Sequence, residues 1–401
     1  MTDTEPLTEE RLPESFEPRA RVDSRPQRSR LARVLAISVV PISAVALGLL
    51  AGGIVVVISS LVLSDRFDPG LAVRAYSALF RGSLGNVNGL VSTVVSAAPL
   101  VLGGLAVGIG FKAGLFNIGA QGQFLIGAVS AAVVGASLAG APAPLAIAGA
   151  MAAGALGGAA YGFIPGALKA LTGAHEVVTT IMLNFIAGSL IGYLITGPLG
   201  APGFSFARTG PLGNAELPVL FGRGGHLGVL VAVAFVPIAW WLLWRSTLGF
   251  EIRTVGANPN AARYAGMRPG YLIVLTLSMC GMLAGLAGAN QILGISHFMN
   301  ASYGTNIGFD SISVALLGRA HPVGILLAAL LFGAMRAGSG LMQVDAGIPV
   351  EIIDVIQAVI LLFLAADVLV RRLLRLRAPS AAPEELRTVT RSYGEQRAGT
   401  T

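Results

Sequence analysis

The stretch that decides the fold is residues 111–123, which read Phe-Lys-Ala-Gly-Leu-Phe-Asn-Ile-Gly-Ala-Gln-Gly-Gln. It is rich in amides and broken by glycine, yet it lies between two long apolar runs. Unsatisfied amides and irregular backbone are costly in hydrocarbon, so such a segment is tolerated where it is buried in protein or lines a wet cavity. The stretch therefore predicts a pathway through a membrane protein.

The overall composition also indicates a membrane protein. Of 401 residues, 54% are hydrophobic and 12% are charged, which is too apolar for an ordinary soluble domain. The 53 glycines indicate closely packed transmembrane helices. The net charge of +7 is typical of nucleic-acid binders, but the arginines lie mostly at the chain ends and between apolar runs, so we exclude nucleic acid as a partner. The single Cys280 allows no intrachain disulfide.

Apolar runs predict the number of membrane spans, since a transmembrane helix needs about 20 apolar residues. The eighth run is short and polar, so we expect it to be broken or re-entrant. We predict an all-α fold, a polytopic transmembrane helical bundle of about ten spans. The runs are 36–63, 89–110, 121–139, 143–165, 177–196, 227–244, 270–293, 305–319, 322–340 and 351–370.

Basic residues predict the orientation of the chain. Several arginines lie within residues 19–33, before the first run, and others within 371–377, after the last run. The positive-inside rule therefore predicts that both termini are cytoplasmic. We expect residues 1–34 to be a disordered cytoplasmic tail because they are polar and proline-containing. Residues 35–371 are predicted to form the transmembrane domain and residues 372–401 a second cytoplasmic tail.

A weak internal repeat is visible in the sequence. Residues 122–127, Gly-Gln-Phe-Leu-Ile-Gly, precede an Ala-Pro-Ala-Pro segment and a helix of small residues. Residues 309–318, Phe-Asp-Ser-Ile-Ser-Val-Ala-Leu-Leu-Gly, precede His-Pro-Val-Gly and a similar helix. Two halves of five spans each are inverted relative to one another, an architecture that recurs in transporters. Chance similarity is the alternative.

The longest loop on the predicted inner side, residues 245–269, contains signals for a short helix. Asn258 followed by Pro259 is a good helix start, and Gly266 is a suitable stop. The pattern predicts an amphipathic helix of about two turns. Nothing in the loop supplies chemistry, so we expect another protein to contact it.

Polar residues within or beside the predicted spans form a set rich in amides and poor in charge. Such a set fits a wet path for a neutral polyhydroxylated solute. Hydrogen bonding between helices is the alternative for each residue taken alone. For the two charged residues, Asp310 and Asp354, an ion pair with Arg336 is the simpler interpretation, and a coupling-proton site is the alternative. The residues assigned to the path are Asn117, Gln121, Gln123, Asn184, Asn290, Gln291, Asn306, Asp310 and Gln357.

Three motifs resemble those of a known family. They are Gly-Leu-Phe-Asn-Ile-Gly-Ala-Gln-Gly-Gln at 114–123, Glu-Val-Val-Thr-Thr-Ile-Met-Leu-Asn at 176–184 and Val-Gly-Ala-Asn-Pro-Asn-Ala-Ala-Arg-Tyr-Ala-Gly at 255–266. The sequence resembles membrane permease subunits of bacterial ABC importers, in the nucleoside and simple-sugar group related to the ribose system. Residues 308–319 and 342–343 extend the resemblance, which covers about residues 85–370.

The resemblance implies partners in a bacterial plasma membrane. It implies a second permease subunit, two cytosolic ATPase domains and an extracytoplasmic binding protein that delivers a nucleoside or simple sugar. ATP and Mg are expected in the ATPase subunits, with no cofactor in this chain. Members often have Glu where this chain has Gln121. The predicted loop helix corresponds to a coupling helix that contacts an ATPase, a role carried to Asn260, Ala261, Ala262, Arg263, Tyr264 and Gly266.

The chain itself lacks the residues of an ATPase. Its only lysines, Lys112 and Lys169, do not stand in a P-loop context, so we expect no enzymatic activity. An ion-coupled secondary transporter is the alternative function, and it needs a pair of titratable residues at the bilayer midplane. A membrane enzyme needs a constellation of nucleophile, base and metal, and no such constellation appears in the sequence. The charge-poor spans favour the permease.

Overall fold

The computed structural model describes residues 30–64, 67–222 and 224–366. The chain divides into a unit of residues 1–39 and a unit of residues 40–401, and the helices discussed below belong to the second, apart from the start of α1 at residues 30–39. The described part contains thirteen α-helices, which confirms the predicted all-α bundle. These are α1 Arg30–Ser64, α2 Leu71–Ser83, α3 Val87–Lys112, α4 Ala120–Ser137, α5 Ala143–Thr172, α6 Glu176–Thr196, α7 Leu227–Arg245, α8 Thr247–Ala257, α9 Pro259–Tyr264, α10 Pro269–Gln291, α11 Ile307–Leu317, α12 Pro322–Ala346 and α13 Ile352–Ala365.

Short irregular elements connect some of these helices. A 3₁₀-helix spans Gly213–Ala215, and a π-helix, Ile292–Ser296, continues α10. Strands β1 (Val219–Phe221) and β2 (Gly225–His226) form an antiparallel hairpin just before α7. The predicted C-terminal tail lies outside the described residues, as do residues 1–29 of the predicted N-terminal tail.

Among the described residues, eight helices are long and apolar enough to cross a membrane. They are α1 (over Pro41–Ser59), α3, α4, α5, α6, α7, α10 (extended to Ser296) and α12. The remaining two predicted runs correspond to shorter apolar helices, α11 and α13. With 11 residues, α11 is about 16 Å long, too short to cross about 30 Å of hydrocarbon. The chain is a multi-pass membrane protein, and its eighth predicted run is short, as expected.

Two helices, α2 and α8, were not predicted because they lie outside the long apolar runs. Helix α2 is amphipathic and buries Leu71, Ala75 and Ala78, and it packs against α12. The exposed Arg81 of α2 forms an ion pair with Asp345 of α12, 2.8 Å away. Because one face of α2 is polar, the helix contains no long apolar run and a search for apolar spans does not find it.

Glycines bring α5 and α10 into very close contact. A Cβ atom added to Gly158 would lie 2.7 Å from the Cα of Gly285, and one added to Gly162 would lie 3.1 Å from the Cα of Gly281. Glycine permits this because helices approach most closely where side chains are absent. The contact confirms that the high glycine content reflects helix packing.

The two halves of the bundle pack across one another. Helices α5 and α4 of the first half both pack against α10 of the second half. Helices α12 and α11 of the second half both pack against α3 of the first half. Both α4 and α11 follow a break in helical structure, at residues 113–119 and 297–306. This correspondence agrees with the internal repeat in the sequence and brings the two breaks toward each other.

Candidate functional site

A reciprocal amide pair closes the first helix break onto α4. The side-chain Nδ2 of Asn117 donates to Oε1 of Gln123 at 2.8 Å, and Nε2 of Gln123 donates to Oδ1 of Asn117 at 3.3 Å. Both side chains are buried. A buried amide without a hydrogen-bond partner destabilises the fold, and each of these two side chains supplies the partner that the other needs.

Asn184 of α6 joins the same region to a neighbouring helix. Its Oδ1 accepts the backbone N–H of Gly122 at 2.8 Å, and its Nδ2 donates to the carbonyl oxygen of Ile118 at 3.0 Å. The first N–H groups of any helix have no partner within that helix. Asn184 therefore acts as a cap for α4, supplied from another helix.

Gln121 provides the equivalent cap for α11. Its Oε1 accepts the backbone N–H of Gly308 at 2.9 Å, and its Nε2 donates to the carbonyl oxygen of Thr305 at 2.6 Å. Gly308 lies in the first turn of α11, and Thr305 lies in the second helix break. One uncharged side chain therefore connects the starts of α4 and α11.

Four of the predicted path residues, Asn117, Gln121, Gln123 and Asn184, thus lie together at the helix breaks. Their hydrogen bonds join the first break to α4, α6 to the first break and α4, and α4 to the second break. Their contact with solute stays a prediction. The sequence did not reveal Gly308 and Thr305 as the partners of Gln121, because both form their hydrogen bonds through backbone atoms.

The expected ion pair between Asp310 and Arg336 is present. Asp310 in the first turn of α11 accepts a hydrogen bond from Nη2 of Arg336 on α12. Both side chains are mostly buried, and a buried carboxylate requires such a partner. Asp354 on α13 is exposed, so the pair does not extend to a buried triad.

The remaining predicted path residues are dispersed. Nδ2 of Asn290 donates to the carbonyl oxygen of Gly228 at 2.7 Å, at the start of α7. Asn306 is exposed just before α11, and Gln357 on α13 is 4% exposed with no hydrogen-bond partner among the described residues. Nε2 of Gln291 donates to Oγ of Ser296 at 3.2 Å. The structure therefore does not gather Asn290, Gln291 and Gln357 with the amides at the breaks, whereas Asn306 is the last residue of the second break.

Two histidines lie near the β-hairpin, the buried His226 and the partly exposed His297. The ring of His226 packs against Gly294, and neither ring nitrogen has a hydrogen-bond partner among the described residues. Burial, and to a lesser extent the charge of His297, lower the pKa of His226 to about 4. Nδ1 of His297 lies 3.7 Å from Oε2 of Glu216. Within the described ranges no three His, Cys, Asp or Glu side chains are placed to hold a metal ion.

The predicted loop helix is present as α9, between α7 and α10. Oδ1 of Asn258 caps it by accepting the N–H groups of Asn260 at 3.0 Å and Ala261 at 3.1 Å. Ala262 is fully buried within this chain, beside Val255 and Leu272. Its opposite face is exposed and comprises Asn260, Ala261, Arg263 and Tyr264. Gly266 follows with φ +82°, a left-handed conformation that ends the helix.

Comparison with known proteins identifies the family. The guanosine ABC transporter permease protein NupP of Bacillus subtilis is 38% identical over 83% of this chain and 94% of its own length. The glucose ABC transporter permease protein TsgB13 of Haloferax volcanii is 34% identical over 83% and 88%. The nucleoside ABC transporter permease protein NupB of Lactococcus lactis is 33% identical over 89% and 97%.

The match to the family covers most of the membrane domain. No solved structure matches the chain significantly. Residues 89–365 match the family described as "Branched-chain amino acid transport system / permease component", a range that includes both helix breaks, α9 and the ion pair. The chain therefore belongs to this family of transport-system permease components.

Proposed function

We propose that this chain is the permease subunit of an ATP-binding-cassette importer for a nucleoside or a simple sugar. The family match and the three relatives, all named as ABC transporter permeases, support this class. Two of these relatives are named for guanosine or nucleosides and one for glucose. A nucleoside is our first choice of substrate, and the uncharged amides at the helix breaks suit a neutral polyhydroxylated solute.

The observation that carries the proposal is the exposed face of α9. Ala262 anchors α9 on its own chain, whereas Tyr264 is 94% exposed on the outer face. A rigid, anchored helix with an unpaired aromatic side chain is suited to insert into a groove of another protein. We assign that groove to an ATPase subunit. In this arrangement Ala262 holds α9 against its own chain. The residues that contact the ATPase subunit are Asn260, Ala261, Arg263 and Tyr264.

The proposal implies a complete assembly around this chain. Two cytosolic ATPase domains bind ATP and Mg, a second permease subunit pairs with this one, and an extracytoplasmic binding protein delivers the solute. The chain holds no cofactor of its own. We place α9 and both termini in the cytoplasm of a bacterium, on the side where basic residues are more frequent. We place the solute path beside the helix breaks, where Asn306 and Asp310 retain exposed surface.

Replacement of Tyr264 by Asp tests this function. An unpaired charge buried at the contact costs several kcal/mol, on the order of 2–5. We expect Tyr264→Asp to insert in the membrane normally but to lose the ATPase subunit in a pull-down from detergent. Uptake of labelled guanosine and of labelled glucose should fall with it.

Tyr264→Phe is the matched control, because it retains the ring and should retain both the ATPase subunit and uptake. The purified wild-type chain alone should show no ATP hydrolysis. Full retention of the ATPase subunit and normal uptake by Tyr264→Asp contradict the proposal.

A further inference from the structure

The backbone of α8 touches the first helix break directly. A Cβ atom added to Gly256 of α8 would lie 2.7 Å from the carbonyl carbon of Ala113 and 2.8 Å from the nitrogen of Gly114, and closer still to the carbonyl oxygen of Lys112. In return, a Cβ atom on Gly114 would lie 3.0 Å from the carbonyl oxygen of Gly256. Gly114 also has φ +68°, which other residues rarely adopt. Two glycines thus allow a contact of backbone on backbone.

Apolar side chains fix this contact from the side. Ala113 and Leu115 of the break form one buried cluster with Ile252 of α8 and Leu277 of α10. Ile252 lies one helical turn before Gly256, so the two residues present the same face of α8 to the break. The break and α8 therefore cannot move independently without opening a packed cluster.

The same helix is also fixed to α9. Val255 of α8 forms a buried cluster with Ala262 of α9 and Leu272 of α10. One residue of α8 thus packs toward the loop helix, and the next, Gly256, packs against the break. Helix α8 is the physical connection between the two.

The break in turn leads to both interrupted helices. Asn117 within it exchanges hydrogen bonds with Gln123 of α4. Gln121, two residues before Gln123 on α4, bonds to Thr305 of the second break and to Gly308 in the first turn of α11. Contiguous contacts therefore run from α8 to the starts of α4 and α11, and a displacement of α8 can be passed along them. A backbone contact has no side chain that can rotate to absorb the displacement.

We infer that the contact between Gly114 and Gly256 is the point at which movement of the α8–α9 loop enters the helix breaks. The two glycines are positioning residues that link ATP hydrolysis to opening of the path. This inference rests on the proposed function, because it assumes that an ATPase moves α9. It adds the step inside the permease that follows ATPase contact.

Gly256→Ala tests the inference in proteoliposomes that contain this chain with its ATPase subunits and second permease, supplied with the binding protein. The new methyl group meets backbone atoms, so α8 and the break must separate. We expect the assembled variant to hydrolyse ATP near the wild-type rate. The amount of labelled guanosine or labelled glucose taken up per ATP should fall about tenfold, which is a typical size for a coupling effect. Gly340→Ala on α12, where no atom lies within 4 Å of the added methyl group, is the matched control and should leave the ratio unchanged.

The ratio of uptake to ATP does not depend on how much complex assembles, so it separates a positioning role from a general loss of folding. An unchanged ratio in Gly256→Ala overturns the inference. If Gly256→Ala fails to assemble, Ile252→Ala decides in the same assay. It removes apolar contact from the same face of α8 without a clash, and a wild-type ratio there also overturns the inference. Failure of the proposed function looks different, because then wild-type proteoliposomes show no ATP-dependent uptake of either solute.

Discussion

Amide side chains at the helix breaks serve as donors and acceptors at the same time. Gln121 and Asn184 each accept one backbone N–H and donate to one backbone carbonyl, so each satisfies two otherwise unpaired groups. A carboxylate only accepts, and a hydroxyl has a shorter reach. The sequence alone indicated that these amides are important. It did not reveal their partners, because a backbone atom 187 residues away leaves no side-chain signal.

Gln121→Leu should destabilise the protein. The substitution leaves the N–H of Gly308 and the carbonyl of Thr305 without their partner, and each buried unsatisfied group costs about 1–3 kcal/mol. We expect a lower melting temperature for the detergent-purified chain, and Gln121→Glu should be intermediate because it still accepts from Gly308. Gln343→Leu, at an exposed position on α12, is the control. Equal melting temperatures for Gln121→Leu and Gln343→Leu would show that the cap is not needed for stability.

At the scale of elements, helices with long apolar runs were predictable and short ones were not. The runs at 143–165 and 270–293 overlap α5 and α10, because length and hydropathy suffice to define a span. Helices α2 and α8 were missed because their amphipathic sequences have no long apolar run. The glycine content predicted close packing but not the pair of helices that packs, because glycines occur in nearly every span.

Gly158→Ala should loosen the contact between α5 and α10. The added methyl group meets the backbone of α10, with the Cα of Gly285 only 2.7 Å away, and overpacking of this kind costs about 1–3 kcal/mol. Gly188→Ala on α6 is the matched control, since no atom lies within 4 Å of its added methyl group and alanine favours a helix by about 1 kcal/mol. We expect the melting temperature of the first variant to fall and that of the second to hold or rise. A fall of equal size in both variants would mean that the clash with α10 is not the cause.

For the whole molecule, the order of spans was predictable from the chain, whereas their packing was not. Each of the ten predicted runs overlaps a helix, and the weak repeat between residues 122–127 and 309–318 corresponds to α4 and α11. The two breaks lie close together because α5 packs against α10 and α12 packs against α3. These contacts join residues distant in sequence, and hydropathy carries no information about them.

The distribution of basic residues across α6 and α7 leads to a prediction about orientation. Lys169 precedes α6 and Arg253 follows α7, so both are on the side of α9, whereas Arg208 lies between the two helices on the opposite side. More basic residues lie on the α9 side, which the positive-inside rule assigns to the cytoplasm. We therefore expect a membrane-impermeant maleimide to label Phe204→Cys in intact cells, and to label Tyr264→Cys only after permeabilisation. Phe204 and Tyr264 are both exposed, and the native Cys280 is buried, so it gives little background. Labelling of Tyr264→Cys in intact cells would reverse the orientation and remove α9 from the reach of a cytosolic ATPase.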